Sequence, residues 1–234
     1  YNPTECVETN VNGAKNLIRA ALKNKVSKII ALSTDKAAAP INLYGATKLV
    51  SDKLFIAANN LSGDQPVRFS VVRYGNVANS RGSVIPYFRK LILEGKRIIP
   101  ITHIDATRFL ITLEDGVKFV NECLQRMDGG EIFIPKINSF KITSLAEILL
   151  PNCKFKIVGL RPGEKIHEVL FSIDDSENVI EYKNYYLLKP NIKLPRNNLF
   201  LKNELGEKGL KIKKRFEYSS ALTGDLKLLK KILK

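Results

Sequence analysis

The chain has 234 residues, 44% of them apolar, and 38 Lys and Arg against 23 Asp and Glu give it a formal charge of +15. That size and composition suit an α/β domain with a smaller lobe and exclude a disordered chain. No apolar run approaches the roughly 18 residues a membrane span needs, so a cytoplasmic location without a membrane partner is expected.

In chain order, Pro3 suits a first helical position, and Val7, Val11, Ala14, Leu17, Ile18 and Ala21 recur at helical spacing, predicting a helix over Glu5–Lys23. The apolar run Lys28–Leu32 reads as a buried parallel strand that ends in Thr34, Asp35 and Lys36. A loop closed by Pro40 leads into a helix over Leu43–Ala58. After a turn at Gly63, Asp64, Gln65 and Pro66, Phe69–Tyr74 is the next buried strand, with Asn76 just past its carboxyl end. Val84–Leu93 is a helix, Arg97–Thr102 an edge strand that tolerates Pro100, and Leu113–Arg126 an amphipathic helix ended by Gly129 and Gly130. A strand at Glu131–Pro135 and a helix capped by Thr143 follow, then short strands at Phe155–Val158, Val179–Tyr182 and Tyr185–Leu188, and a basic amphipathic helix.

The chemistry gathers at two places. Tyr44 and Lys48 stand one helical turn apart on one face, and an ammonium beside a phenol lowers its pKa from about 10, making Tyr44 a general base toward an alcohol. Thr34, Asp35 and Lys36 lie at the carboxyl end of a strand, where ligands of open α/β sheets bind. The bland alternatives are a solvated Tyr–Lys pair and a strand-end ion pair of Asp35 with Lys36. The second place is the stretch from Asn76 to Val84. Gly82 lets backbone approach a ligand, and the free N–H groups at the start of the Val84 helix suit a phosphate. Arg161, followed by Pro162 and Gly163 in a rigid loop, is suited to forked binding of a diphosphate. Asn76 and Arg161 each have a plainer role open, as a turn cap and as a surface turn residue.

These stretches resemble the extended short-chain dehydrogenase/reductases acting on nucleotide sugars. STDKAAAPINLYGATKLVSDKLF, VVRYGNVANSRGSVIPYF, GGEIFIPK, RPGEKIHE and FEYSS are similar to the inverting UDP-N-acetylglucosamine 4,6-dehydratases that open pseudaminic acid synthesis for flagellin glycosylation. The resemblance implies the C-terminal half of a doubly wound Rossmann-type parallel sheet plus a small α/β substrate-binding lobe. It divides the chain into an incomplete NADP-binding domain over 1–135, with 80–105 contributing to the substrate site, and a substrate lobe over 136–234. It implies a recycled NADP hydride carrier contacted by Tyr44, Lys48, Tyr74 and Arg81. It implies a UDP-sugar substrate contacted by Asn76, Gly82, Ser83, Val84, Thr102, Arg161 and Glu164, with Arg81 open between the pyrophosphate and the cofactor. It further implies that Tyr44 would take the proton of the sugar 4-hydroxyl and Lys36 the proton on C5, that Asp35 would assist loss of the C6 hydroxyl, and that Thr34 would steady the keto oxygen. The lysine at position 36, where retaining hexose dehydratases carry Glu, favours the inverting group over a retaining dehydratase or an epimerase.

Three further expectations complete this reading. The lysines are scattered apart from Lys211–Arg215 and the last helix, and no nucleic-acid-binding motif accompanies them, so a nucleic-acid partner is disfavoured. Cys6, Cys123 and Cys153 fit neither a disulfide framework nor zinc, and His103 and His167 lack partners at metal spacing, so reduced, mostly buried thiols and no metal are expected. No glycine fingerprint follows an opening strand, and at ~30 residues per βαβ unit roughly 90 residues of the fold precede Tyr1. The chain is therefore read as an inactive fragment that binds NADP poorly, with an open apolar strand edge, of a protein that forms homo-oligomers.

Overall fold

The computed structural model describes residues 2–63, 65–194 and 200–233; Tyr1, Asp64 of the predicted turn, residues 195–199 and Lys234 lie outside them. The elements run α1 (Pro3–Val7), a π turn Glu8–Asn12, α2 (Gly13–Lys23), β1 (Lys28–Thr34), a 3-10 turn Asp35–Ala37, α3 (Leu43–Leu61) and β2 (Arg68–Tyr74). They continue β3 (Asn76–Val77), α4 (Val84–Leu93), β4 (Ile98–Ile101), β5 (Thr107–Ile111), α5 (Leu113–Arg126), β6 (Ile132–Pro135), β7 (Ser139–Lys141) and α6 (Ile142–Leu149). The last are β8 (Lys154–Ile157), β9 (Val169–Phe171), a 3-10 turn Asp175–Asn178, β10 (Val179–Glu181), β11 (Tyr185–Leu188), β12 (Leu210–Lys211), β13 (Tyr218–Ser219) and α7 (Leu226–Leu233).

The chain divides into two units that are interleaved in sequence rather than meeting at residue 135: unit 1 is Tyr1–Tyr74, Val117–Lys136 and Val169–Tyr218, and unit 2 is Gly75–Gly116, Ile137–Glu168 and Ser219–Lys234. Unit 1 carries a six-stranded mixed sheet in the order β1-β2-β6-β11-β10-β12. Its first three strands are parallel, as a Rossmann-type α/β sheet requires, and β1 and β2 run in register from Lys28 opposite Arg68 to Thr34 opposite Tyr74. β11 turns antiparallel to β6, and β10 to β11. Phe69, Val71 and Val72 of β2 are sealed from solvent, and Val72, Phe119, Met127, Phe133 and Tyr185 form the core beside it.

Three expectations change in unit 1 and unit 2. The first helix is a helical run interrupted by five residues of π geometry, begun by Pro3 behind an Asn2 cap that accepts from Glu5 N–H. β1 is not a buried strand: among the described residues it pairs only with β2, and Leu32 is 49% exposed. A groove of ≈ 670 Å³ runs along it, lined by Leu17, Val26, Ile30, Leu32 and Lys48, which is the open apolar edge the sequence led us to expect. Thr143 does not cap α6. That helix starts one residue earlier, Lys141 stands at the cap in extended conformation, and Thr143 is buried in the first turn.

Unit 2 is built from a three-stranded sheet β3-β5-β7 and a two-stranded parallel pair β4-β8, in which Pro100 is accommodated opposite Lys156. Helices α4, α6 and α7 close its core around Ile85, Phe88, Ile99, Phe140, Leu145 and Leu229. Gly75 meets β5 so closely that an added Cβ would lie 2.4 Å from Phe109 Cβ. Among the described residues no helix is long and apolar enough to cross a membrane, and no cluster of His, Cys, Asp and Glu could hold a metal. The three thiols are free, and of them only Cys123 is fully buried.

Candidate active site

In unit 1 the carboxyl end of β1 turns directly into the Asp35–Ala37 3-10 turn, and the amino end of α3 packs onto it. Asn42 caps α3 by accepting from Gly45 N–H at 2.8 Å. Gly45 is needed there, because a Cβ would sit 2.1 Å from the Lys36 carbonyl oxygen. This close approach brings Tyr44 beside Thr34, Asp35 and Lys36. Asp35 is 1% exposed; its Oδ1 accepts from Thr34 Oγ1 at 2.8 Å and from Lys36 Nζ at 3.0 Å, while its Oδ2 has no partner among the described residues. The strand-end ion pair is thus present, and it is built into the same cluster as the phenol.

The electrostatics correct one expectation. Burial pushes the Tyr44 phenol above its ordinary range; the Lys36 ammonium pulls it down, and Asp35, Cys6 and Asp52 push it up again. Lys48 is not the cation acting on it. Lys48 Nζ donates instead to the Leu32 carbonyl at 2.7 Å, holding α3 against the end of β1, and keeps further N–H donors to offer. Tyr74, at the end of β2, is also pushed up by burial. Tyr44, Lys48 and Tyr74 are hydrogen-bond donors at the carboxyl end of β1 and β2. The neighbouring π turn contributes Asn10, which donates to Thr47 Oγ1 at 3.0 Å, and Thr47 donates to the Tyr44 carbonyl.

In unit 2 a cavity of ≈ 540 Å³ is lined by Asn76, Gly82, Ser83, Val84, Thr102, Arg161 and Glu164, every residue the sequence assigned to substrate. Gly82 has φ +75°, a left-handed conformation that glycine adopts freely. Asn76 Oδ1 and Ser83 Oγ are buried and have no partner among the described residues, so they are open to a polar ligand. Arg81 is exposed and does not line the cavity. Glu164 is committed to the protein itself. Its Oε1 accepts from Arg108 Nη2 at 2.6 Å and Thr102 Oγ1 at 3.0 Å, and its Oε2 from Arg161 N–H at 3.1 Å. It braces two arginines of the cavity, a role that suits a carboxylate better than direct contact with a diphosphate.

Arg108, Tyr87 and Lys90 also line this cavity and were not picked out from the sequence. Tyr87 and Lys90 fall three apart on α4, following Ser83 by four, which is one helical face and a signal that could have found them. Arg108 sits on a strand among apolar residues and gave no comparable signal.

Residues 1–190 match the family described as polysaccharide biosynthesis protein. The chain is 59% identical over 221 residues to a UDP-N-acetylglucosamine 4,6-dehydratase (inverting) of Campylobacter jejuni, covering 94% of this chain and 66% of that protein. It therefore spans slightly less than two thirds of that relative's length. Among solved structures, Pen from Bacillus thuringiensis superimposes with a TM-score of 0.86 at 32% identity, over 100% of this chain and 70% of that one. The dTDP-glucose 4,6-dehydratase DesIV of Streptomyces venezuelae, solved with NAD and TYD bound, shares the fold at a TM-score of 0.61 and 22% identity, over 70% of this chain and 56% of that one.

Proposed function

Because the chain belongs to the polysaccharide biosynthesis protein family, we propose that the whole protein is a 4,6-dehydratase that converts UDP-N-acetylglucosamine to a 4-keto-6-deoxy sugar with inversion at C5. The cavity of unit 2 takes the nucleoside diphosphate, with Arg108 and Arg161 as its cations and Asn76, Ser83 and the free N–H groups opening α4 as its neutral donors and acceptors. A nicotinamide cofactor, NADP in this reading, would supply hydride transfer between C4 and C6 of the sugar. Tyr44, Lys48, Tyr74 and Arg81 are the residues that would hold it.

Tyr44 removes the proton of the 4-hydroxyl as C4 becomes a ketone, which acidifies the hydrogen on C5. Thr34 donates to the new carbonyl. Lys36 Nζ donates to Asp35 Oδ1 at 3.0 Å. In this reading Lys36 takes the C5 proton, and Asp35 delivers a proton to the departing C6 hydroxyl, which leaves as water. Return of a proton to C5 from the opposite face inverts that centre. In the cell this reaction opens a route to pseudaminic acid for surface glycans, in the cytoplasm, carried out by a homo-oligomer.

The observation that carries this reading is the hydrogen-bonded Lys36–Asp35 pair lying against Tyr44, an amine and a carboxyl group beside a phenol. The test is incubation of the whole protein with UDP-N-acetylglucosamine in deuterated water. Wild type is expected to give a keto sugar deuterated at C5 with an L-configured ring, and Lys36→Ala to abolish the exchange. Exchange surviving in Lys36→Ala, or a D-configured product, overturns the assignment.

A further inference from the structure

Two opposite charges are sealed inside unit 1 behind the Tyr44 cluster: Asp52 is 1% exposed and Arg73 is 2% exposed. Asp52 lies on α3 one turn beyond Lys48 and two beyond Tyr44, on the same face of the helix. Arg73 lies on β2 opposite Ser33 of β1, one residue before the facing pair Thr34 and Tyr74. Asp52 Oδ2 accepts from Ser33 Oγ at 2.8 Å and from Arg73 Nη2 at 3.0 Å. Arg73 Nη1 donates to the Leu170 carbonyl at 3.1 Å, and its Nε has no partner among the described residues. One carboxylate oxygen thus ties α3 to two strands at the ends that carry the reactive groups.

Such a pair is a poor way to gain stability. Desolvating both charges offsets most of their attraction, and apolar side chains of similar volume would hold a helix on a sheet as well or better. What directed hydrogen bonds add is a fixed rotation and height for the helix. Tyr44 and Lys48 ride on the face they fix. Four groups bear on the phenol from the elements packed around it: Lys36 and Asp35 from the 3-10 turn, Cys6 from α1, and Asp52 from α3 itself.

We propose that Asp52 and Arg73 are positioning residues for the reaction, setting the rotation of α3 and so the place at which the Tyr44 phenol is held against Thr34, Asp35 and Lys36. The proposal rests on the dehydratase reading for its kinetic consequence and not for its effect on the phenol.

The test uses the whole protein labelled with carbon-13 at tyrosine Cζ, the Tyr44 signal being assigned with Tyr44→Phe. Asp52→Asn keeps the shape of the side chain, removes an anion and unmasks the Arg73 cation. Both changes favour phenolate, so the Tyr44 titration midpoint falls. The same variant loses about tenfold or more in kcat with little change in KM for the UDP-sugar. Asp52→Leu combined with Arg73→Met is expected to melt near the wild-type temperature and still lose rate. An unmoved Tyr44 midpoint in Asp52→Asn, or wild-type kcat in the double variant, overturns the proposal. If wild type forms no keto sugar, the reaction assignment fails, and the titration alone decides the role of the pair.

Discussion

The Arg108 guanidinium donates to Glu164 Oε1 at 2.6 Å while the other oxygen of Glu164 holds the backbone N–H of Arg161, so one carboxylate sets two arginines of the unit 2 cavity. Removing Arg108 takes a cation from the cavity and from its partners Glu164 and Glu168. Arg108→Ala in the whole protein is expected to weaken UDP binding by about 1.5–3 kcal/mol, the range for hydrogen bonds to charged groups. Isothermal titration with UDP measures it, and an unchanged Kd would remove Arg108 from the binding site.

Tyr44→Phe removes one oxygen from a ring that is 46% exposed, so melting should shift by no more than about 0.5 kcal/mol in stability. The rate of hydride transfer, followed by reduced-nicotinamide absorbance in a single turnover, is expected to fall by about 10²–10⁴. Because burial holds the phenol above its ordinary range and the base must be ionised, the wild-type rate should climb as pH rises into the alkaline region. A flat profile above neutrality would show that another group accepts the proton.

Glu131 gives unit 1 a pH dependence of its own. Complete burial pushes its carboxyl up to about 7, against the pull of the Asp128 and Gly129 N–H groups at 2.6 and 2.7 Å. The folded state therefore binds a proton more readily than the unfolded state. This contribution is full below pH 4.5 and is lost as pH rises toward 7, on the order of 3 kcal/mol in all. Melting temperature measured across that window should decline for wild type and lose that slope in Glu131→Gln.

Gly45→Ala tests the close approach under the active cluster. The new methyl would press on the Lys36 carbonyl at 2.1 Å, forcing the 3-10 turn and α3 apart. An overpacking cost of about 1–3 kcal/mol is expected in denaturant melts, with a loss of turnover beyond what that cost explains. UDP affinity, which the proposed reading assigns to the unit 2 cavity, should stay near wild type.

Helix and strand periodicity carried most of the fold. Leu43–Leu61, Val84–Leu93 and Leu113–Arg126 announce themselves by spacing and flanking turn residues. The interleaving of the two units was not legible. The pairing of β6 with β11 depends on contacts far apart in sequence, and local patterns carry no trace of it. Asn76, Gly82 and Arg161 could be picked from their loops because glycine and strand-end positions have few other uses. Arg108 could not, since an arginine on a buried strand looks like any core neighbour until Glu164 is seen beside it. The acidity of Tyr44 was misjudged for a different reason. Spacing puts Lys48 on the right face, but the Leu32 carbonyl captures its ammonium, a contact that only tertiary packing supplies.

The strand order of unit 1 has a consequence for how the chain is made. As the polypeptide grows, β1 and β2 emerge before Gly75–Gly116, and β6, β10 and β11 only after it. Until Tyr185–Leu188 has left the ribosome, β6 lacks its second hydrogen-bonding neighbour, so the nascent sheet waits with one edge of that strand unpaired. Translation speed across the intervening residues, and chaperones that shield Phe133 and Ile134 during that interval, should govern the yield of native molecules more than the final stability does.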